Sequence, residues 1–340
     1  MVPIKLAIVG CGAITDQGHL PAALRSPLIE VTALVDNDLA RAELLRRKYA
    51  CSAEVCDDVA RVLSKVDGVL VATPNHAHGD VARLVLENGL PVLIEKPMTT
   101  SYAEAQALCE LARRRSTFIS VGFVTRQYPV TRLFKRLLDE RFFGRVGRFH
   151  VEFGTAGGWA PVSNYNLDRK LSGGGVLVIN GTHAIDRLLY WFGEPKSFTY
   201  ADDSYGGVEA NCKAELDYGD GLRGSFFFSK TIALKNRFVF ESDQAIVELG
   251  ANETRQLTVT RRDLPGVRLR IDSLGASGTD DYFQEQLNEF ARVLRDGAAP
   301  TVDGEAGAAS VRWCERFYSA RTQLEEPWAW YRHLNKERHP

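Results

Sequence analysis

Several large protein classes are excluded by what this chain lacks. Its six cysteines, Cys11, Cys51, Cys56, Cys109, Cys212 and Cys314, form no Cys-x-x-Cys pair and no Cys/His zinc spacing. Reduced, structural thiols are therefore expected, with neither a disulfide framework nor a metal site. His76 and His78 are close in sequence but have no third ligand nearby, too little for a metal. The chain also lacks an apolar run approaching the ~18 residues of a membrane helix. Lys5 interrupts the apolar run before Gly10, and no cleavage-site pattern succeeds it, so a cytoplasmic first strand with no membrane partner is expected. Net charge is nearly absent too: 42 Lys and Arg face 43 Asp and Glu, with no basic run. A nucleic-acid partner is not expected, and a small neutral or acidic metabolite stays open. At 340 residues the chain has room for two domains, each with its own core.

The N-terminal part alternates short apolar runs with helical spacing. Lys5 to Val9 runs into Gly10-Cys11-Gly12-Ala13-Ile14-Thr15, and Leu20 to Leu24 has helical spacing. The next apolar run, Val31 to Val35, ends on Asp36, 26 residues after Gly10. In a βαβ unit of this size the two strands are neighbours. A dinucleotide pyrophosphate sits on the helix N-terminus and the strand-terminal acid meets the ribose. Gly10 and Gly12 make the turn and admit the pyrophosphate, while Thr15 stands at the third glycine position, which serves packing. Asp36 accepts ribose hydroxyls and repels a 2′-phosphate, and no Arg or Lys occurs between it and Arg41. NAD is therefore expected over NADP.

Further strands are predicted near Ala53 to Val55, Gly68 to Ala72, Pro91 to Ile94 and Thr117 to Gly122, with helices near 39–49, 57–63, 79–88 and 102–114. This is a doubly wound parallel sheet, whose ligands gather at the carboxyl ends of the strands. Asp36, Thr73, Pro74, Asn75, His78 and Lys96 all fall at such ends. Past Gly122 the rhythm changes: a helix near 130–142, a strand near 146–153, then runs of strand character from Ser197 to Ile271 separated by turns. Antiparallel hairpins are expected there, closed by helices near 280–294 and 305–324. The fold class is thus α/β plus α+β: a Rossmann domain over 1–123, then a substrate-binding and oligomerisation domain over 124–340 on a large, mostly antiparallel open sheet. A sheet face bearing Phe226, Phe228, Phe238 and Phe240 needs a cover, and a subunit partner would supply it, giving a homodimer or homotetramer.

Within the second domain lies Ser172-Gly173-Gly174-Gly175-Val176-Leu177-Val178-Ile179-Asn180-Gly181-Thr182-His183. If it is helical from about Gly174, Val176, Ile179, Asn180, His183 and Arg187 share one face. The glycines let a backbone or ligand come close, and His183 titrates near neutrality. Its bland alternative is a packed helix whose His is satisfied by a carbonyl.

The chain resembles the glucose-fructose oxidoreductase, inositol dehydrogenase and rhizopine-catabolism (Gfo/Idh/MocA) family over nearly its whole length. The resemblance rests on Gly10 to Ile14 with His19-Leu20-Pro21, on Ala72-Thr73-Pro74-Asn75 with His78, on Glu95-Lys96-Pro97, on the glycine triplet with His183, and on the Phe283 to Gly297 helix. It implies a nicotinamide-dependent enzyme acting on a hydroxyl of a sugar, sugar acid, nucleotide sugar or cyclitol, a cis Lys96-Pro97 peptide, and Glu95 beside the cofactor. Such oxidation needs a hydride acceptor, a base and a donor for the oxygen. Lys96 suits the donor and His183 the base. Arg126, Tyr128, Trp159, Tyr165 and Asn180 are candidate substrate contacts. The family places an Asp four residues before this His, where Ile179 stands. Three readings are open: Lys96 and His183 suffice, Tyr128, Tyr165 or Asp168 replaces the Asp, or the chemistry is reduced or lost. The alternative functions are a non-catalytic NAD- or sugar-responsive regulator, and a redox-neutral enzyme with resident NAD such as one performing oxidation-assisted glycoside cleavage.

Overall fold

In a computed structural model of the chain, residues 2–157, 164–264, 266–273 and 281–324 are described. Strands β1 (Ile4–Val9), β2 (Ile29–Val35), β3 (Glu54–Cys56), β4 (Gly68–Val71), β5 (Val92–Ile94) and β6 (Ile119–Val121) form a parallel sheet ordered β3-β2-β1-β4-β5-β6. Between them run α1 (Leu20–Arg25), α2 (Leu39–Lys48), α3 (His78–Glu87) and α4 (Tyr102–Arg114), and α5 (Pro129–Asp139) comes after β6. The segment expected as a helix near 57–63 is two short 3₁₀ turns, Val59–Arg61 and Leu63–Lys65.

Next come β7 (Val146–Gly154), the short α6 (Arg169–Ser172), α7 (Thr182–Phe192), β8 (Ser197–Asp202), β9 (Asn211–Gly219), β10 (Leu222–Ser229), β11 (Arg237–Ser242), β12 (Ala245–Gly250), β13 (Gln256–Arg261) and β14 (Arg268–Asp272). Helices α8 (Tyr282–Asp296) and α9 (Gly304–Ser319) and strand β15 (Arg321–Gln323) end the described chain. The last helix is shorter than expected and stops at Ser319, because the chain turns extended to pair β15 with β8.

The chain forms two compact units that interleave in sequence: residues 1–134 with 171–173 and 273–313, and residues 135–170 with 174–272 and 314–340. In the first unit the pleat sends Leu6 and Ile8 of β1 to one side of the sheet and Ala7 and Val9 to the other. The first pair packs with Leu287 and Phe290 of α8; the second joins Val69, Val71, Val85 of α3 and Leu108 of α4. Each such large side chain contributes ~1.5–3 kcal/mol on burial. Both faces are covered, as a parallel sheet requires.

The second unit holds a nine-stranded sheet ordered β14-β13-β12-β11-β7-β10-β9-β8-β15. It is antiparallel except where β7 meets β10 and β8 meets β15. Phe226, Phe228, Phe238 and Phe240 are fully buried, and the chain buries them itself. Trp191 of α7 packs edge-on against Phe238 at 5.2 Å, Phe192 stacks on Phe149 at 5.3 Å, and Phe317 of α9 meets Phe226 at 5.4 Å. The expectation that a subunit partner covers this aromatic face is therefore corrected: the face has its own cover. The opposite face is mixed: half-exposed Phe227, Val239 and Ile246 lie on it among charged side chains, and there Arg237 donates to Glu152 at 2.7 Å and Glu248 at 2.9 Å.

The glycine-rich helix also differs from its expected form. Leu177–Gly181 is a π-helical turn that runs directly into α7. A π turn takes more residues per revolution than an α turn and so rotates the helix after it. Val176 and Arg187 are buried, while Ile179, Asn180 and His183 stay half-exposed, so the five positions do not share one face. Arg187 lies over the Phe238 ring at 4.4 Å and donates to the Ala251 carbonyl at 2.9 Å.

Candidate active site

In the first unit the expected cofactor residues gather where β1, β2, β4 and β5 end. Gly10 has φ +97°, and a Cβ there would lie 2.5 Å from the Ala72 carbonyl carbon. Only glycine lets β1 turn this close to the end of β4. Thr15, fully buried, donates its hydroxyl to the Gly10 carbonyl at 2.5 Å. The third fingerprint position thus closes the turn by a hydrogen bond that a glycine could not make. Residues Thr15–His19 form a π turn ahead of α1.

A Cβ built on Gly12 meets nothing within 4 Å, and Ala13 and Ile14 are exposed. The turn is open on the side where a pyrophosphate would approach its backbone amides. Asp36 accepts the Cys11 amide at 2.8 Å through one carboxylate oxygen and the Asp38 amide at 2.9 Å through the other. Each oxygen has a further lone pair for a ribose hydroxyl. The Thr73 hydroxyl oxygen is buried and has no partner among the described residues, leaving it for a ligand at the end of β4. These features fit a dinucleotide. Cys11, in contrast, is an inert thiol: burial, then the neighbouring Asp36 charge, push it up to about 12.

Lys96 is half-exposed after β5, and its peptide bond to Pro97 is cis. The preceding Glu95 is buried, and one oxygen accepts the Lys96 amide at 3.0 Å while the other meets His19 Nε2 at 2.7 Å. Burial alone would raise this carboxyl, but the His19 hydrogen bond and the charges of His19 and Lys96 outweigh it and hold the group below the usual carboxylate range. Glu95 therefore links the end of the first π turn to the backbone beside Lys96. His19 has this unforeseen role; the sequence shows it only as one of the residues after the glycine turn.

His78 occupies a different place from the expected cofactor contact. Its Nδ1 lies 2.8 Å from the Pro97 carbonyl and its Nε2 2.8 Å from the Thr73 carbonyl. Both ring nitrogens face carbonyls of the chain, and the neutral imidazole, with a single N–H, donates to one of them and so ties its ring to the turns after β4 and β5. Burial lowers its pKa against the pull of the two carbonyls. Asn75 likewise spends its side-chain N–H on the Ser172 carbonyl at 2.7 Å, and Pro74 is exposed. Arg126 is buried, and Tyr128 packs on Tyr282 with ring centroids 4.8 Å apart.

In the second unit Asn180 and His183 leave the π turn and the first turn of α7, both half-exposed. Asn180 Oδ1 is buried and has no partner among the described residues. Ile179 stands half-exposed beside it, and Asp186 is buried. Tyr165 is half-exposed and Asp168 exposed, the latter accepting the Lys170 amide at 2.8 Å. Trp159 lies outside the described residues.

The glycine triplet has a use that the sequence does not reveal. Glu209, fully buried just before β9, accepts the Gly175 amide at 2.9 and 3.0 Å and the Leu177 amide at 2.9 Å. Its own carbonyl accepts the Val176 amide at 2.9 Å, and Tyr318 donates to it at 2.8 Å. A Cβ on Gly175 would lie 2.7 Å from Glu209 N and closer still to its carbonyl oxygen, and one on Gly174 would lie 2.7 Å from Tyr318 Cζ. The close neighbours of these glycines are the chain's own backbone and a tyrosine.

A switch-point Rossmann turn with an open glycine and a strand-terminal acid defines a dinucleotide-binding domain. The chain belongs to the GFO/IDH/MocA family: residues 4–123 match its NAD-binding Rossmann domain and residues 131–248 its C-terminal domain. It is similar to the rhizopine catabolism protein MocA of Rhizobium meliloti, with 30% identity over 314 residues covering 88% of this chain and 89% of that one. Two solved structures share the fold. An aldose-aldose oxidoreductase from Caulobacter crescentus has a TM-score of 0.84 at 21% identity, covering 94% of this chain and 97% of that one. A 3-ketoreductase from Actinomadura kijaniata in complex with NADP and TDP-benzene has 0.83 at 22%, covering 95% and 99%. The protein is thus an oxidoreductase of the NAD(P)-dependent dehydrogenase/reductase class. Among the described residues no helix is long and apolar enough to cross a membrane.

Proposed function

We propose that this enzyme uses NAD to interconvert a secondary hydroxyl and a ketone on a sugar, sugar derivative, nucleotide sugar or cyclitol. The observation that carries the cofactor reading is Asp36, which holds the Cys11 amide of the glycine turn and keeps lone pairs for ribose hydroxyls. The same charge opposes a 2′-phosphate. Bound nicotinamide supplies the hydride acceptor or donor. Lys96 hydrogen-bonds the reacting oxygen, and His183 takes the hydroxyl proton in oxidation or returns it in reduction. Asn180, with its unpartnered Oδ1, orients a neighbouring hydroxyl. Arg126, Tyr128, Trp159 and Tyr165 are proposed to complete the substrate contacts, and Thr73 those of the cofactor.

NADH titration by fluorescence, then a spectrophotometric screen of myo-inositol, D-glucose, methyl glucosides and nucleotide sugars, tests this directly. Lys96→Ala should lower turnover at least ~100-fold, the low end of general acid-base contributions; full activity in that variant would sink the mechanism. The second reading, a binding protein without turnover, is favoured by Ile179 at the position of the family's Asp. Tight NADH binding with no turnover of any compound in the screen would select it, and product formation without net NADH would select redox-neutral chemistry. We propose a cytoplasmic protein that forms a homodimer or homotetramer through the other, half-exposed face of the second unit's sheet, an assembly that sedimentation velocity would check.

A further inference from the structure

We infer that Glu209 is a positioning residue for the proposed proton-transfer residue His183: it fixes the π turn that carries Asn180 and leads directly into the first turn of α7, where His183 sits. The inference takes its meaning from the proposed oxidoreductase function, but its geometry lies entirely within the second unit. A helix start leaves its first amides without intrahelical partners. Here the consecutive amides of Gly175, Val176 and Leu177 all end on Glu209, two on its carboxylate and one on its carbonyl. Tyr318 holds the same carboxylate from α9, and Arg169 lies over the Tyr318 ring at 4.7 Å. Glycines at 174 and 175 are what allow this approach, since a Cβ on either would overlap Tyr318 or the Glu209 backbone.

The turn so anchored is the π segment Leu177–Gly181, and no side chain caps it locally. A π turn is less favourable than an α turn and occurs where something outside it holds it. Loosening the anchor lets this segment relax toward α geometry, which would rotate Asn180 and His183 relative to the sheet beneath. The carboxylate of Glu209 is held by the Gly175 and Leu177 amides and the Tyr318 hydroxyl, so its effect on His183 passes through the backbone. A residue that only stabilised the fold would change melting but leave the local environment of His183 unaltered in the folded protein.

Glu209→Gln and Tyr318→Phe test this, with His183→Asn as control. Glu209→Gln turns an amide N–H toward donors that need an acceptor; Tyr318→Phe removes one bond and leaves the helix amides paired. Peptides spanning 175–183 in folded Glu209→Gln should exchange amide hydrogens about tenfold faster, the loss of roughly one hydrogen bond. Carbethoxylation of His183 by diethyl pyrocarbonate, read by peptide mass, should change rate by about threefold or more. Tyr318→Phe should move both in the same direction by less, and decides the matter if Glu209→Gln does not fold. NADH affinity should not change in either variant. Wild-type exchange and wild-type His183 reactivity in a folded variant would overturn the inference. Full turnover in His183→Asn would instead sink the assigned role of His183, leaving the exchange result to judge the anchor on its own.

Discussion

The chain uses the same local design twice, and for opposite ends. In the first unit Gly10 and Gly12 precede a π turn, Thr15–His19, and an α-helix. In the second, Gly174 and Gly175 precede a π turn, Leu177–Gly181, and an α-helix. A Cβ on Gly12 meets nothing, whereas one on Gly175 overlaps the Glu209 backbone. The first glycine turn is left open for a ligand; the second is filled by a carboxylate and a phenol from its own chain. Glycine before a helix therefore marks close approach without saying what approaches. Asp36 and Glu209 mirror this difference. Each accepts amides from its glycine segment, but Asp36 retains lone pairs at a strand end, while Glu209 is enclosed.

Paired alanine substitutions would break or sharpen this contrast, and they carry the largest expected effect. Gly175→Ala forces a methyl group onto backbone atoms that no rotamer change can move, an overpacking cost of about 1–3 kcal/mol. Urea unfolding should show that loss, with NADH affinity in the surviving folded protein unchanged. Gly12→Ala should do the reverse: stability within about 0.5–1 kcal/mol of wild type, the helix-propensity and backbone scale, but NADH binding weakened by ~10-fold or more because the methyl sits where the pyrophosphate needs the backbone. If both variants lost only stability, or both lost only NADH binding, the distinction between an open and a filled glycine turn would be wrong.

Asp36→Ala gives the next largest effect. Removing the acid should weaken NAD binding and relieve repulsion of a 2′-phosphate, shifting the NAD-to-NADP preference by about tenfold, or ~1.4 kcal/mol. It also frees the Cys11 amide, so binding should fall for both cofactors while their ratio moves toward NADP. An unchanged ratio of NADH to NADPH affinities would remove Asp36 from the selectivity argument.

Most of the first unit is legible in the sequence because its signals are local. Strands β1, β2 and β4 to β6 are short apolar runs that stop at glycine, acid or proline, and alternation with helices leaves few topologies. The strands of the second unit are legible for a similar reason, since alternation and turn residues mark the runs of strand character from Ser197 to Ile271 in which β8 to β14 fall. Long-range pairings leave no such trace. Nothing near Glu209 in sequence points to Gly175, 34 residues away, and nothing near His19 points to Glu95. The phase of α7 is hidden because a π turn leaves no periodic mark in five residues. Sequence shows that Phe238 needs covering, but not that Trp191 covers it, so a partner subunit looks necessary until the helix is placed. A histidine at a strand end looks the same whether its ring faces a ligand or two carbonyls, and this is why His78 reads as a cofactor contact.

The smallest predicted effect compares the two buried glutamates. Glu95 is held below the usual carboxylate range: burial would raise it, but the His19 hydrogen bond and the charges of His19 and Lys96 prevail. Its ionised form is favoured by folding, so it contributes stability above the unfolded carboxylate pKa near ~4.3, and that contribution is lost as pH falls through its lower folded value. Glu209 is shifted the other way. Burial is the leading cause and raises it despite the Leu177 and Gly175 amides and Tyr318. The folded state therefore holds its proton more tightly than the unfolded state, and this group adds stability as pH falls through its raised folded value toward ~4.3. Urea titrations from neutral pH to pH ~4 should show Glu95→Gln losing less stability on acidification than wild type, and Glu209→Gln losing more. Parallel pH profiles for wild type and both variants would mean that neither carboxyl differs between folded and unfolded states, and the opposition between the two units would then be one of geometry alone.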